Sequence, residues 1–407
     1  MSEPILPNLF PRLRDRLAAA PDEDEPGQVI LFDQFRITPH HVELTPTEFN
    51  WARLFNGRHS PADILAASRM ETPEGVASIQ ALIQRLDEAL LLDSPRFSDF
   101  LDSPIREPSC IGCYAADPAE VREQFRGLFM ASGGPGLPDK QGCRISAEGR
   151  LRACLVPHID YARGGVTYGW GFKEIFERSD ASLFVIIATS HYSPQRFTLT
   201  RKNFKTPLGI VETDQTYIDR LVKKYGDGLF DDPTAHLPEH SVELEVVLLQ
   251  YLYEGIKPFR IVPLVVGSFF DCVHDEASPG TRPDIRRMTE ALREVEAETD
   301  EPICYIISGD LAHIGPKFED PEPVAEPFLS ESLAQDQAII KQAEAVNANG
   351  YFEIIAAEQD QRRICGLPPT WLTLNAAKPQ TGKLLHYGRY VHPDGFESVS
   401  FASMAFG

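Results

Sequence analysis

The sequence predicts an α/β fold with a mixed central sheet, preceded by a small winged-helix-like domain, and three observations support it. The chain has 407 residues, more than one small domain ordinarily holds, so two unequal domains are expected. From about residue 150 onward, apolar runs of strand length alternate with longer helical patterns, as they do where strands are buried on both faces of a sheet. Before residue 95 the order differs: two short alternating strands come first, and then a series of amphipathic segments. Hydrophobic residues at 43% and charged residues at 24% are ordinary for a globular chain, and a sizeable core can form.

The first domain is read as residues 1–104. "QVILFDQ" and "FRITPHHVEL" alternate apolar and polar residues, the period of half-exposed strands. Thr45 then precedes Pro46 and Glu48, a side-chain N-cap with proline in the first turn, and "TPTEFNWARLF" takes up helical spacing. "NGRHS" breaks that helix, Ser60 and Pro61 open a second through "ADILAASRM", and "GVASIQALIQRLDEALLLD" carries a third amphipathic face.

Residues 105–149 are expected to be a linker, because Pro, Gly and Asp recur around one helical pattern, "PAEVREQFRGLF". This stretch holds the C-x-x-C of Cys110 and Cys113. No second pair stands at zinc-ribbon spacing, so ordinary thiols are expected in preference to metal or redox work. The seven cysteines are scattered and odd in number, unlike a disulfide framework.

The second domain is read as residues 150–407. Its strands are expected in "LRACLVPH", "LFVIIATSH", "RIVPLVVGS", "ICYIISGD", "HYGRY" and "SVSFASMAF". Helices are expected in "YGWGFKEIFER", "DQTYIDRLVKKY", "SVELEVVLLQYLYEG", "RPDIRRMTEALREVEAE" and "FLSESLAQDQAIIKQAEAV". A formal charge of −21 argues against nucleic-acid or anionic-membrane partners. No apolar run is long enough to span a bilayer and the start lacks a signal-peptide core, so a cytoplasmic protein is expected.

Ligands of open α/β sheets bind beyond the carboxyl ends of the strands, and polar residues recur there. His158 follows "LRACLVP", His191 follows "LFVIIATS", and Asp310 with His313 follows "ICYIIS". His240 stands at a helix start in "LPEHSVELE". Neutral imidazoles are common ligands of iron, copper and zinc. The expected metal ligands are His158, His191 and His313, with Asp310 the alternative third donor. His240 and Asp310 are expected to move protons, with Tyr161 lining the same pocket. Glu243, three residues beyond His240 on one helix face, is the acidic residue there that could reach an ion.

Two resemblances rest on these residues. "LTPTEFNWARLFNGRHSPADILAAS" with "IQALIQRLDEALLLD" resembles PqqD-like domains, which recognise peptides. "VPHIDYARGG", "ATSHY", "TPLGIVETD", "EHSVELEVVLLQY", "SGDLAHIGP", "ICGLPP" and "SVSFASMAF" follow the order and rough spacing of the MEMO family, labelled AmmeMemoRadiSam system protein B in bacteria. That family is similar in fold to class III extradiol dioxygenases of the LigB type, whose iron is held by two histidines and a carboxylate. The resemblance implies iron, with copper or zinc as alternatives, and places His158, His191 and His240 on the family's histidines. It also implies radical-SAM and AMMECR-type partner proteins. One position departs: animal members carry a ligand cysteine where this chain has Ala312, which cannot coordinate a metal, and no other cysteine is an obvious substitute.

Three functions are compatible with these residues. The first is a metal-dependent redox enzyme acting on a small-molecule or peptide substrate. The second is a peptide-binding adaptor that uses the same pocket, and the third is a zinc hydrolase.

Overall fold

The computed structural model describes residues 10–139 and 149–407. The chain divides into two compact units, Met1–Pro104 and Ile105–Gly407.

In the first unit, β1 (Leu17–Pro21), β2 (Val29–Asp33) and β3 (His41–Leu44) form an antiparallel sheet in that order. Four helices follow: α1 (Pro46–Ala52), α2 (Pro61–Ser68), α3 (Pro73–Glu88) and α4 (Pro95–Asp102). Each starts with proline behind a Ser or Thr N-cap, and Thr45/Glu48 and Ser60/Asp63 close full capping boxes. Leu44, Trp51, Ile64, Ile79 and Leu82 make the core between sheet and helices. The strand expected over "FRITPHHVEL" is shorter than its pattern, because Phe35–His40 turns back before β3 begins.

The second unit opens with β4 (Ile105–Arg106), α5 (Pro118–Met130), β5 (Ala153–Val156), α6 (Tyr161–Arg178) and β6 (Leu183–Thr189). Three short strands, β7 (Phe197–Leu199), β8 (Asn203–Thr206) and β9 (Gly209–Thr213), lead to α7 (Gln215–Tyr225) and α8 (His240–Tyr253). Next come β10 (Arg260–Val266), α9 (Phe270–His274), α10 (Pro283–Ala297), β11 (Ile303–Ser308) and β12 (His313–Ile314). The chain finishes with α11 (Phe328–Glu344), α12 (Ala348–Ala357), α13 (Leu367–Ala377) and the hairpin of β13 (Gly382–Val391) and β14 (Ser398–Phe406).

These strands build one mixed sheet in the order β12-β14-β5-β11-β6-β10-β9-β8-β4, with β13 on β14 and β7 on β10. Neighbours from β5 through β9 run parallel, whereas β14 runs antiparallel to β5. Alternate residues of one strand feed separate cores on the two faces: Val185 and Ile187 on one, Phe184 and Ile186 on the other. That two-sided burial is why the central strands are apolar throughout. The fold is α/β with a mixed sheet, and no helix among the described residues is long and apolar enough to cross a membrane.

The linker expected over residues 105–149 differs in the structure. β4 pairs with β8, and Arg106 is fully buried, donating to Glu243 on α8. α5 buries Val121, Phe125 and Phe129 in the second unit's core. Short apolar spacing within a Pro-rich stretch had masked a strand and a packed helix. Residues 140–148, with Cys143, lie outside the described residues.

Candidate metal centre

β5, β11 and β6 are adjacent and parallel, so their carboxyl ends open at one edge of the sheet. The residues just beyond them therefore meet: His158 after β5, Asp310 after β11 and His191 after β6. α8 adds His240, its first residue. Donor atoms of His158, His191 and His240 all lie within 4.8 Å of one another, and those of His158, Asp310 and Cys365 meet the same limit. The ring of His158 stands edge-on to His191 and His240, with centroids at 5.0 Å and 5.2 Å.

Hydrogen bonds fix which ring nitrogen His158 and His191 present. Ser308 Oγ donates to the Ser241 carbonyl at 2.7 Å, so it accepts from His158 Nδ1–H at 3.3 Å. The lone pair of His158 is left on Nε2, which faces Cys365 Sγ at 3.2 Å and the Asp310 carboxylate at 3.7 Å. Glu239 accepts the ring Nδ1–H of His191 at 2.9 Å and its backbone N–H at 2.7 Å, which turns His191 Nε2 outward. The same carboxylate caps α8 by accepting the Ser241 N–H, and it lies 3.4 Å from His240 Nδ1.

Two glycines let the Cys365 loop reach this edge. A Cβ on Gly309 would stand 2.5 Å from the Gly366 Cα, and one on Gly366 would stand 2.7 Å from the Asp310 carbonyl oxygen. The Gly366 N–H donates to that carbonyl at 2.9 Å, and Thr189 Oγ1 donates to the Cys365 carbonyl at 2.8 Å. Both bonds require the close approach.

A family model described as "Memo-like protein" matches residues 106–405. The chain belongs to that family. It is 29% identical over 310 residues to a MEMO1 family protein of Methanopyrus kandleri, covering 74% of this chain and 98% of the relative. It is 26% identical over 341 residues to one of Aquifex aeolicus, covering 81% and 82%. The crystal structure of an uncharacterized Escherichia coli K12 protein aligns with 63% of the chain and all of its own at 13% identity; its TM-score of 0.37 carries no weight for function.

In this Memo-like chain, burial and charge divide the donors into distinct states. Burial, with His191 and His240 nearby, holds His158 well below the ordinary imidazole value, and burial brings His240 down to about 4. Burial alone would lower His191 too, but the Glu239 carboxylate outweighs it and raises that ring. Glu239 is in turn held far below the carboxylate range by His191 and His240, against its own burial. Burial pushes Asp310 up to about 7 and lifts the Cys365 thiol well above its usual value. Two imidazoles held down by burial and one raised by Glu239, beside a carboxyl and a thiol, form a donor set that fits a borderline or soft metal ion.

Three expected roles are corrected. His313 is in neither donor group: it lies within β12, its Nδ1 is 3.0 Å from the carbonyls of both Leu311 and Arg363, and His240 stands where the third imidazole was expected. Tyr161 is 1% exposed and donates to the Leu244 carbonyl while packing between Phe125 and Tyr168, so it is core and not a proton carrier. Glu243 is consumed by Arg106, Ser109, Cys110 and Tyr114. Glu239 and Cys365 were missed as site residues; the "EH" dipeptide at a helix start was the available signal for the first.

Proposed function

We propose that this Memo-like chain is a metal-dependent redox enzyme whose ion is held by His158, His191 and His240, with iron expected and copper or zinc as alternatives. The observation that carries this reading is the convergence of three imidazole donors within 4.8 Å, two of them with the second ring nitrogen engaged by Ser308 and Glu239. Held by these imidazoles, iron would supply open positions for oxygen and a route for electrons to and from a substrate. A cavity of about 340 Å³, lined by His191, Thr189, Cys365, Phe269, Phe270 and Leu367, adjoins the centre. Its apolar wall excludes water and would hold a small molecule or the tip of a peptide side chain. Asp310, which burial raises to about 7 and whose Oδ2 lies 3.7 Å from His158 Nε2, would be the group that accepts or returns a proton at the centre.

The motif resemblance to LigB-type extradiol dioxygenases supports oxygen chemistry. The resemblance to AmmeMemoRadiSam system protein B supports a modification pathway shared with radical-SAM and AMMECR-type partners. Elemental analysis of anaerobically purified protein tests the reading, with His158→Ala and His240→Ala alongside. Near-stoichiometric iron or copper that both substitutions abolish is expected. Stoichiometric zinc would turn the reading to hydrolysis, and no metal after reconstitution would sink both enzymes.

Peptide capture by the first unit is favoured by one separate observation. β3 is an edge strand, and a groove of about 660 Å³ lined by His41, Glu43, Glu48 and Arg85 runs beside it, the geometry for adding an extended peptide as a further strand.

A further inference from the structure

The cavity beside the centre has a charged corner that the donor set does not use. Asp360 and Ser190 line it together with Phe269, Val273, Leu367 and Pro368. The Ile364 N–H donates to Asp360 Oδ1 at 2.8 Å, and among the described residues Oδ2 has no hydrogen-bond or ion-pair partner. Ser190 Oγ is buried and equally without one. Polar atoms withdrawn from bulk water are ordinarily satisfied, so two open ones lining a single cavity mark groups left for a ligand.

The sign of that ligand follows from the neighbouring charges. Arg362 is claimed by Glu358 and Asp336. Arg363, also at the cavity, is claimed by Asp320 at 2.8 Å and by the carbonyls of Gln361 and His313. Both guanidinium groups have carboxylates of their own, which leaves Asp360, the one carboxylate lining the cavity, without a cation. Burial raises its carboxyl to about 6, and a carboxylate that is ionised near neutrality but poorly solvated gains most from a cation brought beside it. Gln359, Asp360 and Arg363 hold left-handed backbone at φ 53°, 47° and 53°, a conformation that persists only where the surroundings enforce it. The turn therefore keeps the unpaired carboxylate in place.

We propose that this cavity recognises a primary amine carried on an apolar stem, with the ammonium group on Asp360, the stem against Phe269, Val273, Leu367 and Pro368, and Ser190 Oγ as a second polar contact. The proposal rests on the reading of the cavity as the substrate chamber of the centre, and it names what enters. A free alkylamine and the lysine side chain of a peptide present the same chemistry. The formal charge of −21 draws cations of either kind toward the chain.

Isothermal titration calorimetry of the full-length, chelator-stripped protein tests this, with hexylamine, hexanol and hexanoate as probes. Stripping keeps the amine from binding as a ligand to an ion. Hexylamine is expected to bind at least about tenfold more tightly than hexanol, the margin of one charge-assisted contact, and hexanoate the most weakly of the three. Asp360→Asn, which keeps an acceptor for Ile364 and tolerates the left-handed backbone, should bring hexylamine down to the affinity of hexanol. Equal binding of amine and alcohol in wild type, tightest binding by hexanoate, an amine preference that survives Asp360→Asn, or no binding of any probe would each overturn the proposal. The three-probe comparison in wild type does not depend on the folding of a variant. Nα-acetyl-lysine amide separates the two sources: binding as tight as that of hexylamine supports a peptide side chain, and binding of hexylamine alone supports a small amine. With no metal in the titration, a centre that takes up no ion leaves the amine preference standing, and loss of the preference leaves the metal reading standing.

Discussion

Glu239 accepts the ring and backbone N–H groups of His191 and the backbone N–H of Ser241, so one carboxylate sets the tautomer of His191 and the first turn of the helix that carries His240. Glu239→Gln should weaken zinc binding at alkaline pH by about 10–100-fold, measured by chelator competition. The pH dependence should move as well. Because Glu239 raises His191, protons displace metal as pH falls through that elevated value. Without the carboxylate the competition starts at lower pH, so the affinity midpoint shifts to the acid side even as the plateau falls. Glu245 is a different case: its carboxyl is fully buried with Ser308 as its one polar side-chain neighbour, and burial, which outweighs that neighbour, pushes its titration well above the ordinary carboxylate value. A carboxyl raised in the folded state favours folding below about pH 4, and that contribution is lost as pH rises toward the folded value. Glu245→Met should therefore stabilise the protein at pH 8 by about 1–3 kcal/mol and gain far less at pH 4, a difference that thermal melts at the two pH values would show or refute.

Among the elements, β4 has the largest effect for its length. Two residues suffice because Arg106 donates to Glu243, to the His236 carbonyl at 3.0 Å and to the Glu239 carbonyl at 2.9 Å. The strand thus ties down the segment that delivers His240. Arg106→Met leaves Glu243 charged and unpaired in the core and should cost about 3–5 kcal/mol in urea unfolding. Adding Glu243→Leu should recover most of that loss; no recovery would mean that the guanidinium serves packing and not charge. Elements of this kind mark the limit of what a sequence discloses. Strands such as Leu183–Thr189 were legible because burial on two faces leaves an unbroken apolar run, and His158 and His191 were legible as polar residues placed directly after such runs. β4, β7 and β9 were not, since two to five residues show no period. His313 follows a strand as His191 does, but the chain turns back there to pair with β14, and the ring points to the Arg363 loop. Cys365 meets His158 across 207 positions, a contact that no local pattern encodes.

At the scale of the whole molecule, the two units have separate cores, since Leu44, Trp51, Ile64 and Leu82 pack only within residues of the first. Calorimetry should show two transitions, with metal raising only that of the second unit. At a hundredfold excess over Kd the stabilisation is about 2.7 kcal/mol, which for a unit of this size shifts its midpoint by roughly 4 °C. A shift in both transitions would mean that the units unfold together.

The sheet carries one more consequence, in the order of synthesis. β14 is hydrogen-bonded to β5, with Phe406 opposite Ala153, and the donors span residues 158 to 365. A ribosome makes the amino-terminal unit first, whereas the strand that flanks the His158 strand is made after every donor residue. A nascent chain that has reached residue 365 therefore carries every donor and still lacks the strand that flanks β5, so the edge of the sheet on which the donors sit is completed after the donors themselves are made.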